Sequence, residues 1–252
     1  MNSPSPPAHL NRLEAIMRRL RDPVHGCDWD RVQTFATIAP YTIEEAYEVA
    51  DAIERNNMAD LADELGDLQL QVVFHAQMAA EAGHFTLDDV LTRICDKLER
   101  RHPHLFGNAS ESPGWESLKA AERRNNPDQS ALAGVAKALP ALERANKLQK
   151  RAARTGFDWP DAGGARAKVI EELAELDAET DQAAREDELG DLLFAVVNLA
   201  RKLNIEPEVA LRAANAKFER RFRAIEIAPG FADLSLDEKE RLWIAAKAAQ
   251  SA

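Results

Sequence analysis

The sequence predicts an all-α protein built from two tandem copies of one small helical bundle. Three observations carry that expectation. Apolar residues recur at steps of three and four, strand-like alternation is scarce, and four sequence blocks appear twice in one order. Within residues 61–79 the recurring positions are Leu61, Leu65, Leu68, Val72 and Ala76. Within 189–203 they are Leu189, Leu192, Val196, Leu199 and Leu203. Each copy is read as a bundle that closes its own core.

The repeat sets the domain organisation. Asp28-Trp29 returns as Asp158-Trp159, and Glu44-Glu45-Ala46-Tyr47-Glu48 returns as Glu171-Glu172-Leu173-Ala174-Glu175. Glu64-Leu65-Gly66-Asp67-Leu68 returns as Glu188-Leu189-Gly190-Asp191-Leu192, and Lys97-Leu98-Glu99-Arg100-Arg101 as Lys217-Phe218-Glu219-Arg220-Arg221. The blocks recur about 120 to 130 residues later, with a slow drift that fits changes in loop length. The basic helix end Arg18-Arg19-Leu20-Arg21 lies where Leu148-Gln149-Lys150-Arg151 lies in the second copy. The expected domains are 8–106 and 138–252, separated by a linker at 107–137 rich in Gly, Pro, Asn and Ser. A short helix is expected within that linker, around Trp115 to Arg123. A closing amphipathic stretch is expected at 235–250.

Bulk composition narrows the function. The chain has 252 residues, 45% hydrophobic and 30% charged, with a net charge of −11. That acidity repels nucleic-acid backbones and anionic membranes, so neither is expected as a partner. It also means that an anionic substrate needs local cations or bound metal. Cys27 and Cys95 form no CxxC pair and read as free thiols of a reducing compartment. No stretch reaches the roughly 20 apolar residues of a membrane span. The N-terminus lacks an apolar signal core, and the expected location is the cytoplasm.

The acids carry the chemistry. On a helix at about 100° per residue, Glu172 and Glu175 lie about 60° apart. They border the apolar stripe of Val169, Leu173 and Leu176. Glu188 and Asp191 border Leu189, Leu192 and Val196 in the same way. In the first copy Glu45 and Glu48 border Val49 and Ile53, and Glu64 and Asp67 border Leu68 and Val72. Packing the two stripes together brings four carboxylates to one edge of each helix pair. Four such anions repel and are costly to desolvate, and a hard divalent cation resolves both problems. An all-oxygen set suits Mg2+, with Mn2+ as a substitute. One acidic pair alone is a common solvated helix face; four at matching positions in two copies are not. A structural metal is a second reading. A di-iron bundle is a third, but it needs paired Glu-x-x-His, and the second element here is Glu-x-x-Asp in both copies.

Glu-Glu-x-x-Glu followed by Glu-x-x-Asp resembles the MazG family of nucleoside triphosphate pyrophosphohydrolases, all-α enzymes. The resemblance covers nearly the whole chain, including the two-copy layout, the Lys-x-Glu-Arg-Arg helix and Trp243. It implies Mg2+ at Glu172, Glu175, Glu188 and Asp191, and water attack on the α-phosphorus with release of pyrophosphate. It implies substrate contacts from Lys168, Glu171, Lys217, Arg220, Arg221 and Trp243. It also implies a homodimer, a broad range of nucleoside triphosphates and a role in nucleotide-pool housekeeping or stress.

The residue types suit that reaction. Triphosphate hydrolysis needs positioning and charge neutralisation more than a covalent nucleophile, and no P-loop is present. Lys217 and Arg221 are four apart on one helix face and can reach one phosphate chain. Glu171 is the candidate to orient the attacking water. Trp243 serves equally as a core residue or a stacking platform. Trp29 and Trp159 read as packing residues ahead of helices, and His102-Pro103-His104 reads as a helix stop.

The two copies are unequal around their acids. Lys168 stands four residues before Glu172, where Tyr41 stands four before Glu45. The second copy is therefore expected to hold the main catalytic site, with the N-terminal acids metal-competent. Two other readings of the chain are a non-catalytic nucleotide- or alarmone-sensing scaffold that binds a regulatory protein, and a narrow dUTP or dCTP hydrolase.

Overall fold

A computed structural model describes residues 6–107 and 128–249. Every regular element among them is helical, as the apolar spacing predicts. The chain divides into two compact units, Met1–Lys119 and Ala120–Ala252. The short helix expected near Trp115 to Arg123 lies outside the described residues.

The first unit contains α1 (Pro6–Leu20), α2 (Asp28–Val32), α3 (Phe35–Glu54), α4 (Met58–Glu81), α5 (Leu87–Arg101) and α6 (Pro103–Phe106). Thr34 caps α3, accepting the Thr37 amide while the Thr37 side chain binds back to the Thr34 amide. Asn57 caps α4 through the amides of Ala59 and Asp60. Between the helices Asn56 sits in the left-handed region at φ 53, which reverses the chain in a few residues. α3 and α4 are thereby held as close neighbours. Met17, Ile38, Val73, Phe74, Met78 and Leu87 form the core on the inner faces of α1, α3, α4 and α5. Arg21 ties α1 down. It donates to Glu81 at 2.7 Å and to the Asp30 carbonyl at 2.6 Å. His102 ends α5 and Pro103 opens α6, so the helix stop falls where the sequence places it. Trp29 lies inside the short α2 and precedes α3, as expected of a residue ahead of a helix.

The second unit contains α7 (Ala141–Ala153), α8 (Ala162–Ala178), α9 (Gln182–Lys202), α10 (Pro207–Glu226) and α11 (Leu236–Ala249). Asp161 caps α8 and Asp181 caps α9. α7 lies against α9, where Gln149 Nε2 donates to the Phe194 carbonyl at 2.8 Å. Asn146 and Lys150, also on α7, bind Glu206 at 2.7 and 2.6 Å just before α10. Asp158 binds Arg201 and Lys202, which fixes the loop before α8 to the end of α9.

The apolar stripes need a correction. Leu65 and Val72 were expected inside, yet they are 50% and 37% exposed, while Gln71, Val73 and Phe74 are buried. In the second unit Leu189, Val196 and Leu203 are about half-exposed, and Ala195 and Val197 are buried instead. Each acid-bearing helix has two apolar faces, and one of them packs within the chain. A single-stripe reading merges the two.

Candidate active site

α8 and α9 bring the acids of the second unit together. Oxygen atoms of Glu172, Glu188 and Asp191 all lie within 4.8 Å of one another. Glu175 adjoins them one turn along α8, and burial together with Glu172 pushes its pKa up. Glu188 is pushed up as well, by burial and then by Glu175 and Glu172. Glu172 goes the other way. It is almost fully buried, but the Lys168 ammonium at 2.6 Å holds it below the usual carboxylate range. Lys168 also pairs with Glu171 at 2.8 Å and lies 4.0 Å from Glu175. Those carboxylates raise its pKa, so it is a permanent cation.

The donor set fits a hard divalent ion. Six oxygens around magnesium at about 2.1 Å stand about 3 to 4.2 Å apart. The oxygens of Glu172, Glu188 and Asp191 approach that spacing, and small rotamer changes close the rest.

A cavity of about 760 Å³ opens beside these acids. Lys168, Glu172 and Asp191 line one end, and Phe157, Trp159 and Phe194 supply aromatic surface. Its volume is in the range of small-molecule sites. Gly164 seats Trp159 behind the cavity: a Cβ there would overlap the indole, so glycine lets α8 approach the ring. Sequence reasoning did not single out Gln149, Asn198 or Arg201, which also line the cavity. A signal existed for Gln149. It follows Asn146 by three residues on the buried face of α7, where apolar residues are the norm. The reading of Leu148-Gln149-Lys150-Arg151 as a basic helix end passed over it.

The first unit builds a related acid cluster on α3 and α4, but there Glu45, Glu48 and Glu64 are in mutual reach, so that Glu48 stands in the group and Asp67, the counterpart of Asp191, does not. Burial, then Asp67 and Glu48, pushes the Glu45 pKa up, and burial with Glu48 and Asp67 does the same to Glu64. The Gln71 amide donates to Glu45 at 3.3 Å. The position of Lys168 is taken by Tyr41, which packs edge-on against Trp29 at 6.0 Å between centroids. Phe74 meets the same indole at 6.4 Å.

The remaining expected substrate residues lie elsewhere in the second unit. Lys217, Arg220 and Arg221 are on α10, which runs uninterrupted to Glu226, and Trp243 is on α11. Trp243 packs on Phe218 at 5.3 Å between centroids, with the Arg221 guanidinium 5.9 Å over its ring. The structure brings these two together in a seam between α10 and α11. None of the four is among the cavity's lining residues.

Fold and site together define an all-α protein with clustered carboxylates beside a cavity of nucleotide size. The MazG nucleotide pyrophosphohydrolase domain matches residues 33–106, within the first copy. The nucleoside triphosphate pyrophosphohydrolase of Escherichia coli K12 is 54% identical over 86% of this chain and 87% of its own length. The nucleoside triphosphate pyrophosphohydrolase/pyrophosphatase MazG of Thermotoga maritima is 47% identical over 86% of this chain and 85% of its own. The chain belongs to the MazG family of nucleoside triphosphate pyrophosphohydrolases.

Proposed function

We propose that the second unit hydrolyses nucleoside triphosphates to monophosphate and pyrophosphate, across a broad range of bases and both sugars. One observation carries this reading: Lys168, Glu172 and Asp191 border both the carboxylate centre and the cavity. Glu172, Glu175, Glu188 and Asp191 would hold Mg2+, with Mn2+ as a substitute. Bound there, the ion supplies Lewis acidity and a more acidic water. Lys168 keeps Glu172 ionised and presents a cation toward the phosphates, offsetting the net charge of −11. Glu171, exposed and held by Lys168, is the carboxylate available to orient water for attack on the α-phosphorus. The cavity walls shield the sugar and base from solvent.

The test is pyrophosphate release from the four ribonucleoside and four deoxyribonucleoside triphosphates, with Mg2+ and with chelator. Release from most of them with Mg2+, and none with chelator, is the expected result. Nucleotide binding without release would favour a sensing scaffold, and release from one pyrimidine alone a narrow hydrolase.

The assembly proposed is a homodimer. Ile170 and Leu173 on α8, and Leu189, Leu193 and Val196 on α9, are spaced three and four apart and 44% to 65% exposed. A second copy of the same face would cover them. Light scattering at twice the monomer mass is the expected result.

A further inference from the structure

A short segment ahead of α7 folds on itself and closes one side of the cavity. Ser130 opens it. Its amide donates to Asp128 Oδ1 at 2.9 Å, and its hydroxyl accepts from the Leu132 amide at 3.2 Å. Two turns follow. The Ala133 amide donates to the Ser130 carbonyl at 3.0 Å, and the Val135 amide to the Leu132 carbonyl at 3.3 Å. Gly134 is the third residue of the second turn, at φ 75, a backbone state that glycine adopts without strain. Ala133 is buried, and Leu132 lines the cavity, as Gly156 and Phe157 do.

Arg151 ties this strap, residues 130–135, to α7. Its Nη1 donates to the Ala133 carbonyl at 3.1 Å and to the Ala131 carbonyl at 3.3 Å. Those two carbonyls flank Leu132, so the guanidinium fixes the backbone on both sides of the cavity-lining residue. Charged donors make the stronger hydrogen bonds. The bonds within the strap hold its shape and would survive if it swung away from α7. The bonds from Arg151 hold its place and would not. The first copy uses the matching arginine differently. Arg21 donates to the carbonyls of Asp30 and Gln33, at 2.6 and 3.4 Å, in the chain that follows it. Arg151 reaches back to the chain that precedes it.

We propose that Arg151 is a positioning residue for nucleotide binding, holding the 130–135 strap on α7 so that Leu132 walls the cavity. It acts through the strap and is not itself among the described lining residues. Leu132 is 43% exposed, and a nucleotide seated against it covers that apolar surface. The contact is remote from the reacting phosphate, so ground state and transition state share it. Its loss therefore falls on KM and spares kcat. The assignment rests on the proposed placement of the nucleotide in this cavity.

The experiment uses the full chain with Mg2+ and ATP. Arg151→Met keeps the aliphatic stem and removes the donors. It is expected to raise KM about tenfold and to leave kcat within about twofold. Arg151→Lys, which keeps the charge on a single ammonium, is expected to raise KM about threefold. Leu132→Ala leaves Arg151 in place and is expected to raise KM by about fivefold. The double variant Arg151→Met with Leu132→Ala is expected to have a KM no higher than Arg151→Met alone, because both act through one contact. Amide hydrogen exchange gives a readout without nucleotide: 130–135 is expected to exchange faster in both Arg151 variants, with α8 and α9 unchanged. Wild-type KM or wild-type exchange in a folded Arg151→Met chain overturns the proposal. So does multiplication of the two KM effects in the double variant. If Arg151→Met does not fold, wild-type KM or exchange in Arg151→Lys overturns it in the same way. Pyrophosphate release with a KM that no variant moves would defeat the strap and leave the hydrolase reading standing. Without release, the comparison is made on the dissociation constant of α,β-methylene-ATP. Weaker binding in the variants would then leave the strap assigned and the hydrolase reading defeated.

Discussion

The two copies build one acidic scaffold and finish it in opposite ways. Four residues before the first acid stands Tyr41 in one copy and Lys168 in the other. Seven residues after the last acid stands Phe74 in one and Asn198 in the other. In the first unit Trp29, Tyr41 and Phe74 pack against each other, and Phe35 stacks on His75 at 5.8 Å. In the second, Trp159, Lys168 and Asn198 line open space. The electrostatics divide in the same way. Burial, with Asp67 and Glu48 beside it, pushes Glu45 up, whereas Lys168 holds Glu172 down. The acid motif is thus shared, and the side chains around it differ: Lys168 stands beside the acids in the second copy and Tyr41 in the first.

The sharpest way to break this comparison is to disable each copy separately. Glu172→Gln with Glu175→Gln is expected to reduce pyrophosphate release on the order of a thousandfold, about 4 kcal/mol in the barrier. Glu45→Gln with Glu48→Gln is expected to leave the rate within about twofold, as a pair outside the reacting site does. Steady-state kinetics on both variants decide it, and the reverse pattern would move the active site to the first unit.

The second prediction exchanges packing for space. Phe74 is 3% exposed and is covered by the Arg21 guanidinium at 5.4 Å. Phe74→Ala is expected to destabilise the first unit by about 3 kcal/mol, through lost burial and a cavity. Urea unfolding followed by circular dichroism measures it. Asn198→Phe carries the first copy's residue into the second. It is expected to fill the cavity and raise the nucleotide KM by about tenfold or more, since space in the cavity is lost. If Phe74→Ala costs little, Phe74 is not the core anchor of the first unit that its burial implies.

Much of this was legible in the sequence, for identifiable reasons. Helical class followed from apolar spacing, because a period of 3.6 survives in one sequence without knowledge of partners. The grouping of Glu172, Glu188 and Asp191 followed from helix geometry, since i and i+3 residues share a face. The unequal copies followed from Lys168 against Tyr41. What escaped depended on long-range packing. Gln149 reaches Phe194 across 45 residues, and its three-residue spacing from Asn146 marks a shared helix face without saying what that face packs against. Leu65 and Leu189 have the spacing of core residues but lie on an outer face. Periodicity identifies a stripe without saying what it packs against.

The smallest expected difference lies in the loop clamp. Asp158 and Asp28 are matching residues before the matching tryptophans. Asp28 makes a local pair with Arg31 at 3.2 Å and its side chain is 96% exposed. The Asp158 side chain is largely covered although the residue is exposed, and hydrogen bonds from Arg201 draw its carboxyl from 3.8 down to about 2. A pKa depressed by folding means stability that is complete above about 3.8 and lost as the pH falls through about 2. Asp158→Asn is therefore expected to destabilise the second unit by on the order of 1 kcal/mol at pH 7, since solvent screens a partly exposed pair, with the difference from wild type shrinking below pH 4 and vanishing near pH 2. Asp28→Asn is expected to cost no more than about 0.5 kcal/mol at any pH, because an exposed local pair contributes little. Because Arg201 also orients Asn198, Asp158→Asn should weaken nucleotide binding while Asp28→Asn should not. Equal costs for the two substitutions would mean that the loop before α8 is no better anchored than its counterpart, and the open cavity would need another support.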